Sequence, residues 1–325
     1  MKSLVNYQEI EKAYNRISNY ATKTPLLSSD LLNKEFSSNI FIKAENLQKI
    51  GAFKFRGAMN SILKLDDDKK NVLAWSSGNH AQAIASACYL TNKNATIVMP
   101  EDSPNAKLNG TKSWGANVVT FDRYSESREE IGTNLAKEIN AEIIPPFDHP
   151  DVINGQGTVG YEIINDCKKN NLIPDLVLCC CGGGGLIAGV STAIKAEYPN
   201  IPVYAVEPED YNDTFLSLKN NKITEVDVSK KSICDSLLAS KPGELTFSIN
   251  KENLSGSLLV SDLEALKAMK YAFQYFKIIL EPGGAVALAS ALFNKIDIKN
   301  KTVVIIASGG NVDPDIFEKS LKISI

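Results

Sequence analysis

The run Leu176-Val177-Leu178-Cys179-Cys180-Cys181 passes directly into Gly182-Gly183-Gly184-Gly185 and then into Leu186-Ile187-Ala188-Gly189. A short, unbroken apolar run reads as a strand covered on both faces, the situation of parallel sheets in α/β layers. Four glycines are costly in backbone entropy unless the backbone itself must approach something closely. A turn of free N–H groups ahead of a helix is a cradle for phosphate. The stretch is neither a G-x-G-x-x-G fingerprint nor a P-loop, because no Gly-Lys-Ser/Thr follows. A flexible linker is the bland alternative, and it is poor because strand and helix flank the glycines directly.

The same alternation recurs along the chain. Strands are expected at 72–75, 95–99, 118–121, 176–180, 203–206 and 303–307, with helix-period segments at 80–90, 107–114, 127–139, 152–168 and 186–197. This order argues for an α/β fold with mainly parallel sheets. At 325 residues the chain is long enough for about two domains. Pro145-Pro146 marks a seam between them, since two prolines cannot continue a helix.

Composition excludes several partners. A net charge of −3 gives no footprint for nucleic acid or an anionic membrane, and no apolar run approaches a bilayer span. The N-terminus lacks the apolar core of a signal peptide, and the chain ends soon after Gly309-Gly310-Asn311, so no appended domain is expected. None of the six cysteines shows C-x-x-C spacing, and the consecutive three continue a strand as small hydrophobes. The expectation is a cytoplasmic protein in a reducing compartment.

Ligands bind beyond the carboxyl ends of strands in open α/β sheets, and two polar loops sit there besides the glycines. Ser76-Ser77-Gly78-Asn79-His80 follows a strand and enters a helix, a site suited to a carboxylate or phosphate, although one Ser or Asn would suffice as a cap. Ser308 in Ser308-Gly309-Gly310-Asn311 offers one hydroxyl for a ring nitrogen or for a turn. Lys54, in Gly51-Ala52-Phe53-Lys54-Phe55-Arg56-Gly57-Ala58, stands between two aromatic rings, where lost hydration lowers an amine's pKa toward neutrality. It is either a Schiff-base amine or a snorkelling surface lysine. An amine, a phosphate cup, a carboxylate-binding helix start and a hydroxyl together match the needs of pyridoxal phosphate holding an amino acid.

These motifs, with Gly-Gln-Gly-Thr at 155–158, resemble in kind and order the fold type II pyridoxal-phosphate enzymes. The likeness is to the branch of serine/threonine dehydratases, serine racemases and threo-3-hydroxyaspartate dehydratases. The resemblance implies two open, twisted, mostly parallel sheets flanked by helices, of the tryptophan synthase β type. It divides the chain into a large cofactor-binding domain of residues 1–70 plus 149–325 and a small substrate-loop domain of 71–148. It gives Lys54 the Schiff-base link and the Cα proton, places Phe53 beside the cofactor ring, and sets Asn79 on the ring's 3′-oxygen. Gly182, Gly183, Gly184 and Gly185 hold the phosphate, and Ser308 faces the ring nitrogen. Ser76, Ser77, Asn79 and His80 receive the substrate, with Ser77 also matching the racemase branch's second base.

Glu207 and Asp213, with the Tyr211 carbonyl, match that branch's divalent cation site, suited to magnesium, calcium or manganese; the alternative is a set of exposed acids in an acidic loop. Arg128 aligns with an active-site arginine that would take a second carboxylate, or it is a solvated charge paired with Glu129 or Glu130. Cys234-Asp235-Ser236 departs from the usual Ala-Asp-Gly and brings Ser236 close to the cofactor. The expected function is therefore a dehydratase releasing ammonia from a β-hydroxy amino acid. L-threo-3-hydroxyaspartate, giving oxaloacetate, is favoured, with serine and threonine also accepted. A serine or aspartate-type racemase and a cofactor-binding protein without turnover are the alternatives. A homodimer is implied, with an amino acid as the small-molecule partner.

Overall fold

Strand-forming residues segregate into two sheets whose carboxyl ends face one cleft. The computed structural model describes residues 4–76, 78–103, 105–122 and 125–324. Its strands are β1 Leu26–Ser28, β2 Asn39–Ala44, β3 Asn71–Trp75, β4 Asn94–Pro100, β5 Asn117–Phe121, β6 Ala141–Ile143, β7 Leu176–Cys180, β8 Val203–Pro208, β9 Gly256–Val260 and β10 Thr302–Ala307. The larger sheet has the order β1-β2-β10-β7-β8-β9, antiparallel only between β1 and β2. The smaller, β5-β4-β3-β6, is parallel throughout.

The continuously apolar strands are the central ones, as two covered faces require. Every residue of β7 is buried, and so is β10 from Val303 onward. On one side lies the helix Pro282–Leu292, buried along its whole length; burying each Leu or Val side chain contributes about 1.5–3 kcal/mol. The smaller sheet packs Met59, Ile84 and Ile97 on one face and, on the other, Leu73, Val98 and Phe121 against the helix Arg128–Glu138. The latter approach is close: a Cβ on Gly132 would lie 2.5 Å from the Trp75 ring.

The chain crosses from the smaller sheet to the larger through Pro145-Pro146, between the end of β6 and the helix Pro150–Lys169. His149 caps that helix, its Nδ1 accepting from Asp151 N at 3.2 Å, and Pro150 occupies the first turn. Here the Gly-Gln-Gly-Thr motif acquires a packing role. A Cβ on Gly155 would sit 2.6 Å from Gly57 Cα, and Gln156 Oε1 accepts from Gly57 N at 3.2 Å. The helix Lys54–Ile62 is thereby seated on the helix Pro150–Lys169 at near backbone contact.

A fully buried charge network locks the same joint. Arg56 donates to Glu45 Oε2 and Oε1 at 2.8 Å each and to Glu162 Oε1 and Oε2 at 2.7 and 2.9 Å. Lys43 adds a contact to Glu162 at 2.7 Å, and Thr24 Oγ1 donates to Glu45 at 2.5 Å. The paired carboxylates raise the Arg56 pKa further, and Arg56 holds Glu45 below its ordinary value against the opposing effect of burial. All six cysteines are buried and free. Among the described residues no helix is long and apolar enough to cross a membrane.

Candidate active site

The cleft between the sheets has a volume of about 490 Å³ and draws its walls from both of them. Lys54 stands at its floor as the first residue of the helix Lys54–Ile62. The approach to it is stitched to the end of β10: Phe53 N donates to Ser308 O at 3.0 Å, and Ala52 bridges Gly309. Ile50, a β-branched residue, holds φ +66° in this loop, a costly conformation kept in place partly by Asn311 Nδ2 donating to Ile50 O at 2.8 Å. The Lys54 amine donates to Pro146 O at 2.7 Å and lies 5.4 Å from the Phe53 ring centroid. Burial lowers its pKa to about 8, against the pull of Cys180 and Glu281, which favour the cation.

Opposite, the four glycines link β7 to the helix Gly185–Glu197. Gly184 has φ +92°, a conformation that glycine adopts without steric cost. A Cβ on Gly183 would lie 2.4 Å from the Phe147 ring, and one on Gly184 would lie 2.8 Å from Asn250 Nδ2. Thr246 Oγ1 donates to Gly183 O at 2.8 Å and fixes the loop from outside. The Gly183 carbonyl is thus engaged from outside, and the first-turn N–H groups, which have no intrahelical acceptor, are available to an anion.

The Ser76 to His80 segment leaves β3 and enters the helix Asn79–Leu90. Asn79 is held from two sides: Asn311 Nδ2 donates to its Oδ1 at 2.8 Å, and its Nδ2 donates to Glu281 Oε1 at 2.5 Å. His80 is buried, with Nε2 2.9 Å from Ile144 O, so that nitrogen carries the proton and Nδ1 is an acceptor with no partner among the described residues. Burial, aided by the Lys54 charge, lowers the His80 pKa to about 3, so the ring is neutral. A neutral ring with its N–H already engaged contributes shape and polarity here rather than charge. Ser76 and Ser308 line the cleft, and Ser77 lies outside the described residues. Ser236 also lines it, with Oγ only 2.2 Å from where a Gly283 Cβ would be, so the serine side chain is accommodated over a glycine.

Two groups in the cleft, Glu281 and Lys107, escaped the sequence reading, and Asp235 was read only as part of its motif. Glu281 precedes Pro282-Gly283-Gly284, and a single charge inside an otherwise apolar stretch was the available signal. Lys107 and Asp235 form an ion pair across the cleft, joining the helix Asn105–Ser113 to the turn Asp235–Leu237. No local pattern marks a pair separated so widely in sequence. Arg128 borders the cleft but is 55% exposed, and its Nε donates to Glu129 Oε1 at 2.8 Å.

Away from the cleft, Glu207 and Asp213 are both fully buried rather than exposed loop acids. Glu207 accepts from Thr214 N and Phe215 N at 2.8 Å each and from Ser257 Oγ at 2.5 Å. Neither oxygen of Asp213 has a partner among the described residues. Burial raises Glu207 to about 7; burial, with the Glu207 charge beside it, raises Asp213 to about 9. Among the described residues no three His, Cys, Asp or Glu side chains converge as a metal-ligating group, so this pair would need oxygen ligands from the backbone or water.

Comparison with known proteins gives one consistent likeness. Residues 17–309 match the family model described as "Pyridoxal-phosphate dependent enzyme". The chain is 44% identical over 309 residues to an L-threo-3-hydroxyaspartate ammonia-lyase of Saccharomyces cerevisiae, covering 94% of this chain and 93% of that one. It is 42% identical to a serine racemase of Schizosaccharomyces pombe, over 95% of each. The solved structure of maize serine racemase superposes with a TM-score of 0.91 at 35% identity, over 98% of this chain and 97% of the other.

Proposed function

The chain belongs to the pyridoxal-phosphate dependent enzymes, and from that premise we propose that it is an ammonia-lyase acting on β-hydroxy amino acids, L-threo-3-hydroxyaspartate foremost. The observation that carries this reading is the Lys54 amine, lowered to about 8, facing a side-chain-free glycine cradle in one cleft. The residues fit the cofactor: an amine for its aldehyde, N–H groups at a helix start for its phosphate, the Phe53 ring beside it and a Ser308 hydroxyl at the far end. When bound, pyridoxal phosphate supplies the carbonyl for that amine and an electron-withdrawing ring that acidifies the substrate Cα–H.

The protein's own part follows from its side chains. Lys54, partly neutral near pH 8, takes the Cα proton on Nζ, and burial favours handing it on to the departing β-hydroxyl. Ser308, a neutral hydroxyl lining the cleft, would meet the ring nitrogen without enforcing its protonation, which would favour loss of the β-hydroxyl as water. Ser76, Ser77 and the backbone N–H of His80 receive the α-carboxylate near the helix N-terminus, the His80 ring having its one N–H already engaged by Ile144 O, and Asn79 orients the cofactor. Loss of water, followed by hydrolysis of the released enamine, yields oxaloacetate and ammonia from hydroxyaspartate.

Substrate choice is assigned to Arg128. A dicarboxylic substrate offers it a bidentate partner in place of Glu129, which serine and threonine cannot do. A keto-acid release assay over serine, threonine and both hydroxyaspartate diastereomers tests this, run with Arg128→Ala beside the natural chain. Activity on hydroxyaspartate should fall at least tenfold further than activity on serine, a difference of about 1.4 kcal/mol. Equal losses would remove Arg128 from substrate selection. Racemisation is the competing reading, supported by the likeness to serine racemases; product chirality after incubation with L-serine separates the two.

The domain division proposed is 1–70 plus 149–325 against 71–148, following the two sheets. A homodimer in the cytoplasm is the assembly and compartment that accompany this reading. Magnesium, or calcium or manganese, is assigned to Glu207, Asp213 and the Tyr211 carbonyl, because among the described residues the neighbouring buried carboxylates have no counter-charge. Millimolar Mg²⁺ should raise the melting temperature of the natural chain and not that of Asp213→Asn, since a ligand held by the folded state alone stabilises it. No difference between the two would take the cation away from this pair.

A further inference from the structure

Glu281 occupies the N-cap of the helix Pro282–Leu292, yet its side chain does not cap that helix. It lines the cleft instead, 1% exposed, giving Oε1 to Asn79 and leaving Oε2 without a partner among the described residues. A buried carboxylate turned from its helix and only half satisfied is costly unless something else uses it. The charged and titratable groups around it come from four other elements. They are Lys54 on the helix Lys54–Ile62, Lys107 on the helix Asn105–Ser113, Asp235 on the turn Asp235–Leu237, and Cys180 at the end of β7. Of the cations, Lys107 is already matched by Asp235. Among the described residues no carboxylate bonds Lys54, whose amine donates to Pro146 O.

We propose that Glu281 is the counter-charge of the Lys54 amine, and that the same carboxylate positions Asn79 toward the cofactor. This deepens the reading of Lys54 as the carbonyl-reactive base. With Asn79 Oδ1 taken by Asn311 and one amide hydrogen taken by Glu281, the second amide hydrogen is the free donor left to the cleft. With the carboxylate ionised nearby, Lys54 holds an accepted proton more readily and so becomes a stronger base. Burial raises the Glu281 pKa to about 7, opposed by the Lys107 charge, the hydrogen bond from Asn79 and the Lys54 charge.

Two variants separate charge from hydrogen bonding. Glu281→Gln keeps an oxygen for Asn79 and loses the charge; Glu281→Ala loses both. The pH dependence of Lys54 acetylation by trace acetic anhydride, read by peptide mass spectrometry on the full chain freed of cofactor, reports the amine directly. In Glu281→Gln its midpoint should drop by roughly half a unit to one unit, while pyridoxal phosphate affinity stays within about threefold. In Glu281→Ala the midpoint should drop equally, and cofactor affinity, followed by visible absorption, should weaken about tenfold or more. An unchanged midpoint in Glu281→Gln overturns the counter-charge, and equal cofactor affinity in the two variants overturns the positioning. Should Glu281→Ala not fold, Glu281→Leu replaces it in the same comparison. The amine measurement needs no cofactor, so it stands or falls separately from the function assigned to Lys54.

Discussion

Lys54→Ala is expected to remove the visible absorption of the cofactor-loaded protein and to abolish ammonia release from every hydroxy amino acid. One substitution takes away the amine that engages the aldehyde and the base that accepts the Cα proton, so two contributions vanish together. General-base catalysis alone is worth about 10²–10⁴-fold, and loss of the covalent route comes on top of it. Folding should be nearly untouched: the amine gives up one hydrogen bond, to Pro146 O, and carries a charge that burial already disfavours. Ammonia release at the natural rate in Lys54→Ala would overturn the mechanism, and the thermal melt shows whether the variant is folded.

The largest effect on stability is expected from Arg56→Ala. It strands Glu45 and Glu162, both buried and each bonded twice to the guanidinium, with Lys43 left as the close cation beside Glu162. Breaking a buried ion pair from one side costs about 3–5 kcal/mol, because the partner charge is left uncompensated. Urea unfolding measures it. The loss should shrink toward acid pH. Glu45 has its folded pKa depressed, so its contribution to the natural chain is present above the unfolded carboxylate pKa and is lost as pH falls through the depressed value. A midpoint unchanged from the natural chain at neutral pH would mean that the network contributes nothing net. Because Arg56 stands two residues after Lys54 on the same helix, partial unfolding there should also blunt cofactor binding.

How much of this was legible in the sequence varies with the range of the interaction. β7, the glycine turn and the helix after them are contiguous, and residue type alone specifies strand, close approach and restart; the expected strand at 176–180 coincides with Leu176–Cys180. The strands at 72–75, 95–99 and 303–307 each lie within the observed ones, displaced by a residue or two where polar edge residues such as Asn71 and Asn94 join the ladder. β1, β2, β6 and β9 went unread: β1, β6 and β9 are edge strands without full burial, and β2, though internal, has an apolar run of only Ile40-Phe41-Ile42 before Lys43, whose charge is buried against Glu162.

The polar cleft was legible where motifs are local, at Lys54, Asn79 and the glycines. It was illegible where side chains meet from far apart. Lys107 meets Asp235, and Glu281 meets Asn79, through tertiary packing that no spacing rule encodes. Glu207 and Asp213 show the opposite limit. Six residues apart in an acidic stretch, they look alike whether exposed or buried, and only the fold shows them buried with Asp213 unpaired among the described residues.

The central claim, that Lys54 is the amine that carries the cofactor, has a direct measurement. Borohydride reduction of the pyridoxal-phosphate-loaded protein, followed by proteolysis and peptide mass spectrometry, fixes the cofactor to the amine that holds it. The account predicts a phosphopyridoxyl mass on Lys54 and on no other lysine; label on a different lysine, or none on a protein that shows the cofactor's visible absorption, would contradict it.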